Sequence, residues 1–93
     1  MTTSIKYTRE QYLNNECSHH DYYKQFVTKG IIDYVKRAIG KDKILNSKDE
    51  HFNDIPLRLW DNLYIPIPNS LDKSLATKVC LAKCAAVIIK EGE

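Results

Sequence analysis

Histidine and aspartate side chains in the first half of the chain are the residues whose types could support metal chemistry. His19, His20 and Asp21 are consecutive, and His51 is the third histidine. Metal phosphohydrolases use such a His-Asp pair, but a catalytic metal needs about three or more protein ligands from several elements. The chain offers few further donors, so we interpret the pair as solvent-facing groups in the first turn of a helix. A metal-dependent hydrolase remains an alternative.

The cysteines raise the possibility of a structural zinc site. Cys17, Cys80 and Cys84, together with His19, have suitable ligand types. There is no C-x-x-C pair, however, and buried cysteines usually behave as small apolar residues. An odd number of cysteines also favours a reducing compartment over a secreted domain with a disulfide framework. We therefore expect no metal and a cytoplasmic location.

Nucleophilic and phosphate-binding motifs are not found in the sequence. His51 and Asp54 are spaced i, i+3, as a general base and its orienting carboxylate could be. No G-x-S-x-G accompanies them, and neither G-x-G-x-x-G nor G-x-x-x-x-G-K-[ST] occurs. A turn hydrogen bond near a helix boundary is the simpler interpretation of this histidine and aspartate. We expect a protein that is not an enzyme and has no cofactor.

Aromatic rings and basic groups suggest binding instead. Tyr34, Arg37 and Lys41 share one side of a helix if that helix continues through Gly40. Rings with cationic groups can hold a nucleotide by stacking and charge, and they are equally common anchors in protein interfaces. The tyrosines could instead edge the core with their hydroxyls in solvent. The predicted binding residues are Tyr22, Tyr23, Tyr34, Arg37, Lys41, Arg58 and Trp60.

Length and composition predict the domain that must position these residues. The chain has 93 residues, 28% of them charged, and a net charge of +2. This balance excludes an acidic DNA mimic and a strongly basic nucleic-acid coat. No apolar run approaches the ~18–20 residues that span a bilayer, and the first residues lack the apolar core of a signal peptide. We expect one domain over residues 1–93, with residues 1–7 as a flexible lead-in.

Capping patterns and apolar spacing predict an all-α bundle of five or six helices. Residues 8–11 and 18–21 have the spacing of helix N-terminal caps, and residues 47–50 predict a cap that opens a brief turn. Few apolar residues follow the first cap, which predicts a short helix, whereas apolar stripes at helical period occupy residues 19–27 and 31–39. Two prolines exclude a helix over residues 64–69, which we expect to form an extended connector.

The last predicted helix is unusually apolar. It is expected to run from Leu71 to Glu91, with a cap at residues 69–70, and Lys83 is its only charged residue from 79 to 89. A helix that is apolar on all sides is normally buried on all sides. Either the rest of the chain wraps it, or one side packs on a second copy in a two-fold pair. The predicted oligomer interface consists of Cys80, Cys84, Val87 and Ile88.

Two stretches also carry a resemblance. They are TREQYL at residues 8–13 together with SHHDYYKQFV at 18–27, and HFNDIPLRLWD at 51–61. They resemble small, uncharacterised accessory proteins of tailed bacteriophages, whose chains are about this long. No catalytic motif accompanies the resemblance, so it carries over no functional residue. It implies expression in the cytoplasm of an infected bacterium, where such proteins often bind a host factor or sequester a defence signal.

These observations combine into one expectation and two alternatives. We expect a non-enzymatic accessory binding protein, acting as a homo-oligomer, that inhibits a bacterial host or defence protein or sequesters a nucleotide-like signal. The first alternative is a small nucleic-acid-binding module, because residues 1–46 contain eight basic and five acidic side chains. The second is the metal-dependent hydrolase. No membrane partner is expected.

Overall fold

The computed structural model describes residues 7–92, and all regular secondary structure in that range is helical. The helices are α1 (Arg9–Leu13), α2 (His19–Lys24), α3 (Lys29–Ile39), α4 (Lys41–Leu45), α5 (Leu57–Asp61) and α6 (Leu75–Lys90). The all-α prediction is therefore confirmed. Within residues 7–92, no helix is both long and apolar enough to cross a membrane.

The start of the described chain is attached to α2. The Tyr7 amide donates to Gln25 Oε1 at 3.1 Å, and Gln25 Nε2 donates to the Tyr7 carbonyl at 2.8 Å. The predicted flexible lead-in over residues 1–7 is therefore wrong at Tyr7. Its remaining residues, 1–6, lie outside the described part of the chain.

Side-chain caps begin four of the helices, as the sequence partly predicted. Thr8 and Gln11 form a reciprocal capping box at α1, and the Ser18 hydroxyl accepts from the Asp21 amide at α2. Both of these caps were expected. Thr28 and Ser74 cap α3 and α6 in the same way. Each cap satisfies an amide that the first helical turn leaves without a partner, which fixes where the helix begins.

Residues 47–56 form turns that pack against the end of α6. The Ser47 hydroxyl donates to Asp54 Oδ1 at 2.5 Å, and Lys90 of α6 donates to the Ser47 carbonyl. The Lys90 ammonium also lies 5.3 Å from the centre of the Phe52 ring. The brief turn predicted here is present, but the cap expected at residues 47–50 is wrong, because the Ser47 hydroxyl binds Asp54 instead of the Glu50 amide.

Gly40 separates α3 from α4. Its φ of 104° is strongly disfavoured for residues with a side chain, and it redirects the chain between Ile39 and Lys41. The predicted face of Tyr34, Arg37 and Lys41 required one continuous helix. That face is therefore interrupted after Arg37.

The last helix begins four residues later than predicted. Ser74 is extended, with φ −91° and ψ 166°, and its hydroxyl accepts from the Thr77 amide. Leu71 belongs to a preceding turn, where its amide donates to the Pro68 carbonyl at 3.0 Å. The cap expected at residues 69–70 is therefore wrong. The helix has 16 residues, which corresponds to about 24 Å.

Helix α6 is the centre of the bundle. Helices α2, α3, α4 and α5 all pack against it. Leu81, Ala82, Ala85 and Ala86 of α6 have no solvent exposure. The small alanine side chains let the surrounding helices approach closely, so a chain of this size covers most of its apolar helix by itself.

This packing changes the interpretation of the predicted oligomer interface. Cys84 is only 4% exposed, so the prediction that it meets a second copy is wrong. Cys80, Val87 and Ile88 are half-buried, and Val87 and Ile88 pack against the chain's own core. The thiol of Cys84 donates to the His20 carbonyl at 3.7 Å, which places it under α2.

Candidate partner-binding surface

Two of the predicted binding residues are core residues. Trp60 is 1% exposed and Tyr22 is 4% exposed, so their rings are not available to a ligand. Trp60 lies on α5, which packs against α6, and its indole Nε1 has no hydrogen-bond partner among the described residues. A large aromatic ring stabilises the fold most when its apolar surface is removed from water. This stabilisation explains why both rings lie in the core.

Tyr22 and Tyr23 belong to an aromatic cluster that joins α1 to α2. Tyr12 stacks on Tyr22 with ring centres 4.4 Å apart, and Phe26 meets the same ring edge-on at 5.4 Å. The Tyr12 hydroxyl is 2.6 Å from His19 Nδ1. Burial raises the pKa of both Tyr22 and Tyr23, so their hydroxyls stay protonated at neutral pH. The cluster is a packing unit of the fold.

The outer side of α3 offers a surface that does face solvent. Tyr34, Arg37 and Ala38 line an open hollow of about 370 Å³. The Tyr34 hydroxyl accepts a hydrogen bond from the Tyr64 amide at 3.3 Å, and the Tyr64 ring is 85% exposed. We call these four residues the α3 surface.

Tyr64 is the surface residue that sequence reasoning missed. It lies in the connector next to Ile65, which is buried, and Pro66, which is exposed. Buried and exposed residues alternate there, and this alternation could have indicated that the tyrosine faces solvent. Its partner on α3 is 30 residues away in sequence, a distance over which local patterns give no information.

The other two basic residues in the predicted binding set lie outside the hollow on α3. Lys41 is exposed on α4, beyond the Gly40 break. Arg58 is exposed on α5 and does not line the hollow. The structure therefore brings together Tyr34 and Arg37 and leaves the rest of the predicted set elsewhere.

The helical part of the α3 surface lies in a basic segment of the chain. Residues 29–45 contain five basic and two acidic side chains, a net charge of +3. Among residues 7–92, Arg37 makes no ion pair, and the half-buried Asp33 one turn earlier does not pair with it. The ion pair in the described chain joins Lys24 to Glu91 at 3.9 Å. The guanidinium of Arg37 is therefore an exposed positive charge without a carboxylate beside it.

The donors of the two metal hypotheses do not converge. In the described part of the chain, no group of three or more His, Cys, Asp or Glu side chains could hold a metal ion. Burial raises the pKa of the Cys84 thiol to about 12.

The Asp54 carboxylate binds Ser47, and the His51 amide donates to Asp49 Oδ1 at 2.8 Å. His51 thus lies in a turn, but it and Asp54 bond to other residues and not to each other.

A second, larger hollow lies between α1 and α2. It has a volume of about 700 Å³ and is open to solvent, with Leu13, Glu16, Cys17 and Asp21 among its lining residues. Desolvation raises the pKa of the Cys17 thiol, and the two carboxylates raise it further. The thiol is therefore protonated at neutral pH and is a poor nucleophile.

Comparisons of the chain with models of protein families, with curated proteins and with solved structures found no match.

Proposed function

We propose that this chain is a non-enzymatic binding protein that docks a protein partner through the α3 surface. The exposed ring of Tyr64 carries the proposal, because 85% of this large side chain faces solvent while its backbone is held by Tyr34. Arg37 lies beside Tyr34 on α3. Tyr and Arg are the residue types that most often anchor protein interfaces.

The shape of the surface favours a protein over a nucleotide. Sites for small molecules usually enclose most of the ligand. The hollow on α3 is lined by only three residues and is open to solvent. Such an open surface offers a nucleotide one or two rings to stack on but does not enclose it. A protein can cover the whole surface.

The chemistry of the cysteines, all of which lie in the described part of the chain, is the second support. The pKa of every cysteine is raised, which keeps the thiols protonated. The resemblance to phage accessory proteins suggests the setting, an infected bacterial cell. There the chain would act by occupying a host or defence protein, and a second copy of the chain is a further candidate partner.

Paired variants test the proposal in bacterial lysate. Arg37→Ala with Tyr64→Ala removes the guanidinium and the exposed ring of the α3 surface. Arg9→Ala with Leu13→Ala is the matched control, because α1 also presents an exposed arginine and an apolar side chain that is 65% exposed. We expect affinity capture with the unmodified chain to retain a defined protein. The α3 pair should lose at least about 90% of that protein, since interface anchors cost ~2 kcal/mol or more on truncation. The control pair should retain it.

Two results would contradict the proposal. One is equal retention by both variant pairs while their circular dichroism and thermal unfolding match those of the unmodified chain. The other is capture of no protein at all by the unmodified chain at high bait concentration.

A further inference from the structure

The α3 surface combines apolar rings with uncompensated positive charge. Tyr64 and Tyr34 supply aromatic area, and Arg37 supplies a guanidinium that makes no ion pair among residues 7–92. The next exposed charges along the chain are mostly of the same sign: Lys41 and Lys43 are exposed on α4, with Asp42 between them. A partner with matching chemistry carries carboxylates next to apolar side chains.

We infer that the α3 surface recognises an acidic protein segment, whose carboxylates meet Arg37 and whose apolar side chains lie on the two tyrosine rings. This inference rests on the proposed docking function and names the chemistry of the partner. Arginine binds carboxylates through two parallel hydrogen bonds, which makes such a pair geometrically specific.

Charge also argues against the other occupants. A basic segment would be repelled by the net positive charge of residues 29–45, where Lys29, Lys41 and Lys43 are exposed in addition to Arg37. A nucleic acid would share the attraction, but it gains most from many phosphate contacts along a basic stripe. Here the basic region is confined to α3 and α4, because residues 47–70 contain two basic and four acidic side chains. We therefore commit to an acidic protein segment.

Nuclear magnetic resonance titration with two synthetic peptides tests the inference. The first probe is a peptide of three Glu-Glu-Leu-Phe repeats, and the second replaces every glutamate by glutamine. With the acidic probe we expect amide shift changes centred on Tyr34, Arg37, Ala38 and Tyr64. The glutamine probe should bind at least about fivefold more weakly, which corresponds to the contribution of one well-formed exposed charge pair. High salt should remove most of that difference.

Single substitutions assign the two parts of the recognition. Arg37→Gln should weaken binding of the acidic probe and leave the glutamine probe unchanged. Arg9→Gln, which removes an exposed arginine from α1, should change neither affinity. Tyr64→Ala should weaken both probes, because it removes apolar contact area. The amide spectrum of each variant checks that the fold is intact.

The failure of this inference is distinguishable from the failure of the docking function. Equal affinity for both probes, no binding of the acidic probe, or shift changes away from the α3 surface would overturn the acidic segment. Tighter binding of a random DNA duplex at the same residues would overturn it as well. If any of these occurs while the α3 pair of variants still loses its captured protein, docking stands and only the partner chemistry is wrong.

Discussion

At the scale of single residues, the exposure of each aromatic ring decides whether it can bind a partner. The sequence identified Tyr34 and Arg37 correctly as neighbours on α3, because helical spacing is a local property. It placed Tyr22 and Trp60 in the same site, and both are core residues. Nothing in the type of a tyrosine or tryptophan distinguishes a core ring from a surface ring, since the difference depends on which distant element covers it.

Ser47 and Asp54 give a testable pH dependence. The hydrogen bond from Ser47 is the main cause that lowers the pKa of Asp54 below its usual value near 3.8. The ionised carboxylate therefore stabilises the fold above that value, and the contribution is lost as the pH falls through the lower pKa of the folded state. Ser47→Ala should raise the pKa of Asp54, and it should reduce the stability more at neutral pH than at about pH 2.

Two measurements check this prediction. Carboxyl resonance titration follows the pKa of Asp54 directly, and urea unfolding at the two pH values follows the stability. Ser70→Ala is the control, because Ser70 is an exposed serine in another turn. An unchanged Asp54 pKa in the Ser47 variant would show that the hydrogen bond does not set it.

At the scale of elements, local chemistry predicts where some helices begin and fails for others. The caps at Thr8 and Ser18 were predicted because each hydroxyl residue is followed three positions later by a suitable side chain, Gln11 or Asp21. The start of α6 was placed too early because Asn69, Ser70 and Ser74 are all acceptable caps. The helix begins after Ser74 because residues 68–71 form a turn that buries Leu71 in the core. This burial depends on tertiary packing, which the local sequence does not show.

Alanine substitutions at Gly30 and Gly40 should change the stability in opposite directions. Gly40 has a φ of 104°, which alanine rarely adopts, so Gly40→Ala should lower the free energy of unfolding by about 1–2 kcal/mol. Gly30 lies in the first turn of α3, and an added Cβ would meet only Thr28 Oγ1 at an ordinary 3.7 Å. Gly30→Ala should raise the free energy of unfolding by about 0.5 kcal/mol.

Thermal and urea unfolding of the two variants provide the measurement, and each serves as the control for the other. Stabilisation by Gly40→Ala would mean that the chain does not turn at residue 40 as described. In that case α3 would continue past residue 40, and Lys41 would lie on the same helix face as Arg37.

At the scale of the whole molecule, one central helix and its cover explain the fold. The radius of gyration is 12.8 Å, close to the ~12 Å of a compact chain of this length. The all-α class followed from the sequence, because helical spacing and proline positions are local signals. The burial of α6 could not be predicted, since the sequence alone left self-association and internal wrapping equally open. The four helices that contact α6 favour internal wrapping.

The same packing determines which surfaces remain for function. Once α6 is covered, the exposed Tyr64 and the basic α3–α4 region are among the features that internal packing does not account for, together with exposed leucines such as Leu13 and Leu57. The alternation in the connector agrees with the exposure of Tyr64, but the contact of Tyr64 with α3 could not be predicted, because Tyr34 lies 30 residues away in sequence. The account therefore depends on docking through the α3 surface.

Photo-crosslinking in bacterial cells tests that claim most directly. A photoreactive benzoylphenylalanine replaces Tyr64 in one variant and Leu13 in the other, since both side chains are well exposed and lie on different elements. The account predicts a discrete crosslinked protein from position 64 that disappears when Arg37→Ala is added, and no such product from position 13. Crosslinking of the same protein from both positions, or from position 13 alone, would contradict it.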